Sequence, residues 1–195
     1  MFSMTSLCDS PIPSAKRPPA AMFALTASCG LMMKFEWPLI LPDDGSVKAL
    51  SKATKDISEY VVELSKTFGL VEGLRPVEGG VTFHSACHSR AQNMGAKSAE
   101  LLRLIPDTKV DVVERCSGHG GTFGVMKDTR PMAVKVGKPT ARQVSAKGNA
   151  TLCSDSPLAC KHLGQLLADE AKPDAPPAPR EAHPIEVFAR AYGVL

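Results

Sequence analysis

Short apolar runs alternate along this chain with longer stretches in which apolar residues recur at helical spacing. Residues 22–29, MFALTASC, read as a buried strand running into a cysteine, and Trp37 to Pro42 follows as an extended apolar segment whose prolines work against a helix. Asp43, Asp44 and Ser46 offer an N-cap. Beyond it Val47, Leu50, Ile57, Val61, Leu64 and Phe68 fall close to one face, predicting a single helix that Gly69 ends. Val81–His84 reads as a strand, Asn93–Ile105 as a helix stopped by Pro106, and Lys109–Glu114 as the next strand. After a glycine-rich loop, Cys116–Gly124, a helix is expected over Arg130–Lys147, stopped by Gly148 and Asn149, and then a short strand over Ala150–Cys153. Asp155 or Ser156 caps a further helix, with Pro157 in its first turn and Leu158, His162, Leu163, Leu166 and Leu167 on its apolar side. A Pro/Ala linker leads to a short amphipathic turn carrying Ile185, Phe188, Ala189 and Tyr192.

Strands alternating with helices predict an α/β fold, a mainly parallel sheet with flanking helices, because parallel neighbours need crossover connections. The segments ALTASC, TFHSAC, VVERC and ATLC each run an apolar strand into a cysteine, at Cys29, Cys87, Cys116 and Cys153. The cysteines are therefore expected at the C-terminal ends of the strands, the side of an open α/β sheet where ligands bind.

Composition removes several function classes. Among 195 residues, 23 Lys and Arg against 20 Asp and Glu leave a net charge of only +3, and aromatic residues make up 5%, so neither a basic nucleic-acid surface nor a base-stacking platform is indicated. The longest apolar stretch, Met22–Met33, is interrupted by Thr26, Ser28, Cys29 and Gly30 and closed by Lys34, too short for a direct membrane span. Residues 1–21 are rich in Pro, Ser and Ala without a secretory pattern, and read as a disordered leader of a protein in the reducing cytoplasm. Six cysteines in that setting are metal ligands, reactive thiols or core residues rather than bridges.

Two segments concentrate the chemistry: His84-Ser-Ala-Cys87-His88 and Cys116-Ser-Gly-His119-Gly-Gly. Thiolate and imidazole donors suit zinc or iron–sulfur clusters. The chain holds no Cys-x-x-Cys pair, so neither a zinc knuckle nor a covalent haem site is indicated. The glycine loop lacks the Lys-Ser/Thr of a phosphate-binding loop. A thiol nucleophile at Cys87 or Cys116 is open chemically, but no orienting third group is recognisable, and no catalytic residue is assigned. Cys8 and Cys160 also read as small core residues, and His162 and His183 as ordinary structural histidines.

LTASCGLMMKFEWPLILPDD, FHSACHSRAQNMG, ERCSGHGGTFGV and EAHPIEVFARAYG together resemble the cysteine-rich (CCG) domain family of iron–sulfur proteins, found in the B subunit of heterodisulfide reductase and the C subunit of anaerobic glycerol-3-phosphate dehydrogenase. The resemblance runs from about Met22 to the C-terminus. It implies an electron-transfer subunit of an oxidoreductase, holding a 4Fe–4S-type cluster and serving a flavoprotein dehydrogenase or another redox subunit. Cys29, Cys87 and Cys116 match family motif cysteines, and His119 matches the histidine of one motif variant. Ser156, in Ser154-Asp-Ser-Pro-Leu-Ala159, stands where the family's last motif carries a cysteine, with Cys153 and Cys160 displaced to either side as substitutes.

The resemblance divides the chain into a leader (1–21), the remnant of a first cysteine-rich repeat (22–42), a cysteine-rich α/β domain (43–170), a linker (171–182) and a docking helix (183–195). It also implies an N-terminally truncated relative. No nucleic-acid partner is expected, and membrane association only through a redox partner. Two alternatives stay open: a zinc-binding structural module using Cys87, Cys116 and Cys153 with one of His84, His88 and His119, or a relative that has lost its cluster.

Overall fold

The computed structural model describes residues 21–171 and 177–195. The leader with Cys8, apart from Ala21, and residues 172–176 of the linker lie outside the described residues. The architecture is α/β with parallel sheets and flanking helices, as the alternation predicts. Four strands form the main sheet: β3 (Val81–His84), β4 (Val110–Val113), β5 (Thr151–Ser154) and β6 (Arg180–Ala182), in the order β4-β3-β5-β6 and all parallel. His84 lies opposite Val113 on one side and Ser154 on the other, so three strands end level with one another. A second, two-stranded parallel sheet joins β1 (Met22–Ala24) to β2 (Thr54–Asp56).

The helices are α1 (Ala27–Leu31), α2 (Trp37–Ile40), α3 (Gly45–Ala53), α4 (Ile57–Phe68), α5 (Cys87–Ala91), α6 (Lys97–Arg103), α7 (Arg130–Lys147), α8 (Pro157–Glu170) and α9 (Pro184–Ala191). Side chains alternate across β5. Cys153 joins Phe83, Leu101, Leu102, Ile105 and Phe188 on one face, and Leu152 joins Val144, Cys160, Leu163 and Leu166 on the other.

Several elements depart from the sequence pattern. The first strand ends at Ala24, because Thr26 turns the chain into α1, which places Cys29 inside a helix. Residues expected to be extended over 37–42 instead continue that helical path through a wide π-turn, Met32–Glu36, into α2. Pro38 lies in the first turn of α2, where its missing N–H costs little. The helix predicted through residues 47–68 is two helices. Thr54 and Asp56 are buried in the strand that pairs with β1, and Asp56 caps α4 by accepting from Ser58 N at 2.8 Å in a capping box with Glu59.

Positive φ at Asn93 and Gly95 cuts the helix predicted from Asn93 down to α6, and a short α5 follows β3 directly. The end of the linker supplies β6, whose Arg180 N donates to Ala150 O at 2.8 Å. Helix α7 matches its predicted span and ends at Gly148 in the left-handed conformation.

Candidate functional site

The level C-terminal ends of β3, β4 and β5 place Ser85–Cys87, Glu114–Cys116 and Asp155–Ser156 along one rim. Three thiols are exposed: Cys116 on the loop after β4, Cys87 as the first residue of α5 after β3, and Cys29 on α1, which packs against α5. The five described cysteines are all free.

His84 fastens the rim from below. It is buried, its Nε2 lies 2.8 Å from Arg115 O, and its Nδ1 lies 3.1 Å from Ser154 Oγ. A carbonyl oxygen only accepts, so Nε2 carries the proton and Nδ1 accepts from the serine hydroxyl. Burial holds the imidazole below its ordinary pKa, which keeps it neutral. Ser154 Oγ in turn accepts from Ser156 N at 3.3 Å. One side chain thus ties the ends of three strands, and it has no nitrogen left to bind a metal.

The Cys116 loop is fixed by contact with α7. Thr140 Oγ1 donates to Cys116 O at 2.6 Å, and Gly118 N points to Cys116 Sγ at 3.4 Å. Gly118 adopts φ +78° and lies so close to α7 that a Cβ would collide with Ala133 O and reach 2.8 Å from Gly137 N. His119 tucks under its own loop. A Cβ on Gly124 would meet its Nδ1 at 2.6 Å, its ring centroid is 6.0 Å from that of His162, and desolvation lowers its pKa. His88 is exposed on α5 next to Cys87, and Arg90 Nη2 lies 3.5 Å from Cys87 Sγ.

Cys153 and Cys160 do not join the exposed thiols. Cys153 is fully buried within β5, where desolvation above all, then Cys160 and Asp155, pushes its thiol well above the ordinary range. Burial likewise pushes Cys160 up to about 12, and its Sγ faces Leu152 O at 3.5 Å. Both side chains are therefore core thiols, set apart from the three exposed ones. The residues of the single-ion zinc reading are therefore dispersed: Cys87 and Cys116 on the rim, Cys153 in the core, His84 fully engaged. Among the described residues no group of three or more His, Cys, Asp or Glu side chains could hold a metal ion.

Asp155 is the site residue that sequence reasoning missed, entering there only as a cap for α8. Its main-chain carbonyl accepts from Ala27 N of α1 at 3.1 Å, while its carboxylate accepts from Ala86 N at 3.2 Å and from Ser89 Oγ of α5. Burial pushes its pKa up to about 6 against the opposing pull of those two donors. Gln92 adds a second strap, its Nε2 donating to Ala27 O at 3.0 Å. No sequence period marks either residue, because each acts through contacts 65 or more positions away.

No family model matches the chain, and no solved structure matches it. Among curated proteins it is similar to the C subunit of anaerobic glycerol-3-phosphate dehydrogenase from Escherichia coli K12, at 27% identity over 161 residues, covering 75% of this chain and 39% of that protein. It is also similar to lactate utilization protein A of Lysinibacillus sphaericus, at 32% identity over 109 residues, covering 51% of this chain and 46% of the relative. The chain thus spans less than half the length of these relatives. No helix among the described residues is long and apolar enough to cross a membrane.

Proposed function

We propose that this chain is a redox subunit in which Cys29, Cys87 and Cys116 ligate an iron–sulfur cluster of 4Fe–4S type, exchanging electrons with a flavoprotein dehydrogenase or another redox partner. The observation that carries this reading is the separation of the thiols into two classes: Cys29, Cys87 and Cys116 exposed on the loop and helices beyond the strands, Cys153 and Cys160 buried in the core. Similarity to a protein named as part of a dehydrogenase supports the redox role.

Three exposed thiols as donors suit the thiolate ligation of an iron–sulfur cluster. Tetrahedral zinc draws its sulfurs to about 2.3 Å from one centre, a convergence the described residues lack. A cluster is wider, with thiolates bound to different irons. When bound, it supplies one-electron transfer.

The chain's own residues then have distinct tasks. Cys87 and Cys116 bind from adjacent strand ends, and Cys29 binds from α1. Arg90 sets positive charge beside the Cys87 sulfur, and His84 holds the two strand ends at fixed spacing through Arg115 O and Ser154 Oγ. Ser156, whose side chain makes no capping bond to α8, supplies the fourth position or leaves it open. Exposed apolar side chains flank the same rim, with Leu25, Val125, Met126 and Leu158 each more than half exposed, and they suit docking of a protein partner in a reducing cytoplasm.

Anaerobic reconstitution with iron and sulfide, read by metal analysis and visible absorbance, tests the proposal. Iron and acid-labile sulfide in comparable amounts are expected, lost on Cys29→Ser, Cys87→Ser or Cys116→Ser and kept on Cys153→Ala. Failure of the parent chain to take up iron refutes the cluster and leaves a relative that has lost it.

A further inference from the structure

We infer that Asp155 is a positioning residue that sets Cys29 against Cys87, an inference that rests on reading those two cysteines as ligands of one cluster. They belong to different sheets. Cys29 follows β1 of the two-stranded sheet, and Cys87 follows β3 of the main one. Asp155, on neither helix and at the end of β5, holds both. Its carbonyl oxygen takes the N–H of Ala27, two residues before Cys29. One carboxylate oxygen takes the N–H of Ala86, the residue before Cys87, and the other takes the hydroxyl of Ser89, two residues after it.

The side chain is 1% exposed, so these donors meet no competition from water. Gln92 closes the arrangement from α5 onto α1, and Gly30 passes so near it that a Cβ would lie 2.8 Å from Gln92 Nε2. Helix α5, which carries Cys87, has only five residues and is too short to hold an orientation unaided. Its placement against α1 therefore rests on the Asp155 carboxylate, which fixes α5 to the end of β5 where the Asp155 carbonyl holds α1, with Gln92 as the direct strap. Residues that support metal ligands from behind are worth about 10–100-fold in metal affinity.

The experiment compares the parent chain with Asp155→Ala, Asp155→Asn and Val144→Ala, the last a core truncation on the other face of the sheet that serves as a stability control. Two readouts are taken: cross-linking of Cys29 to Cys87 in the metal-free chain by a short bifunctional maleimide, mapped by mass spectrometry, and iron bound after anaerobic reconstitution. Asp155→Ala should lower the cross-link yield severalfold and iron affinity by about tenfold or more. Asp155→Asn should restore both, since its amide oxygen still accepts from Ala86 N and its amide N–H donates to Ser89 Oγ. Val144→Ala should leave both near the parent values.

An Asp155→Ala cross-link yield equal to the parent's overturns the inference, as does an equal loss in Val144→Ala. A parent chain that binds no iron while its cross-link depends on Asp155 refutes the cluster and leaves the positioning intact.

Discussion

Replacing Gly118 by alanine tests whether the Cys116 loop is held by direct backbone contact with α7. Gly118 sits at φ +78°, a conformation that costs an L residue about 1–2 kcal/mol. Its added Cβ would also overlap Ala133 O and lie 2.8 Å from Gly137 N, both main-chain atoms of a helix that cannot swing aside as a side chain would. Overpacking of that kind costs typically about 1–3 kcal/mol. The two terms together predict a loss of about 2–5 kcal/mol. Gly121 supplies the control within the same loop: its φ is +51° and nothing lies within 4 Å of its added Cβ, so Gly121→Ala should show the conformational term alone. Urea unfolding followed by far-ultraviolet circular dichroism measures both. Gly137→Ala approaches the contact from the other side, its Cβ colliding with Ser117 O and meeting Leu166 Cδ1 at 2.6 Å. Once either alanine has lifted the loop the second costs less, so the double variant should lose less than the two single losses combined. Midpoints for Gly118→Ala and Gly121→Ala that agree within error, at equal slope, would refute the contact as the loop's anchor.

Asp155 should leave a pH signature. Its folded pKa, pushed up to about 6, lies above the ordinary 3.8, so its protonated form favours folding below about pH 4 and that contribution is lost as pH rises through about 6. Two units of pKa are worth about 3 kcal/mol, and Asp155→Asn should flatten the stability profile by up to that amount between about pH 4 and 7; an unchanged profile on urea titration counts against a buried carboxyl. His84→Ala should cost about 2–5 kcal/mol by the same assay, since it opens a cavity and leaves Ser154 Oγ and Arg115 O without their partner. Cys153→Ser should cost about 1–3 kcal/mol for burying a hydroxyl without a ready partner, with iron content unchanged, whereas Cys29→Ser should leave the unfolding midpoint of the metal-free chain within about 0.5 kcal/mol, as exposed substitutions do, and abolish iron.

What the sequence made legible followed from local signals. Val81–His84 opens on two β-branched residues followed by Phe83, Arg130–Lys147 ends at a glycine that takes the left-handed conformation, and Pro157 opens α8; each appears in the structure at or within a residue of its expected place. The misreadings came where tertiary pairing overrode a local period. Thr54, one turn from both Leu50 and Ile57, continues the helical face of its neighbours, yet pairing with β1 draws Thr54–Asp56 into a strand and gives Asp56 its role as a cap. The rim is visible in the sequence as cysteines at strand ends, but Cys153 reads as one of them because the sequence does not mark where β5 stops, and the strand runs on through Ser154. Cys87 and Cys116 each stand three residues beyond their strand and are exposed, whereas Cys153 lies inside β5 and is buried.

The two sheets share a plan that explains why Cys29 reaches the rim of the other one. Strand β1 pairs in parallel with β2 across a helical connection, β5 pairs in parallel with β6 across α8, and each second strand leads into a helix opened by a capping box, Asp56 with Glu59 and His183 with Glu186. The two caps are close enough for His183 and Asp56 to affect each other's protonation. Both first strands therefore release their chain toward the same side, one into α1 with Cys29, the other into Asp155 and Ser156. The Ala27–Asp155 bond joins those two exits directly. The backbone itself thus brings Cys29 to the rim, independently of the side chain at Ser156.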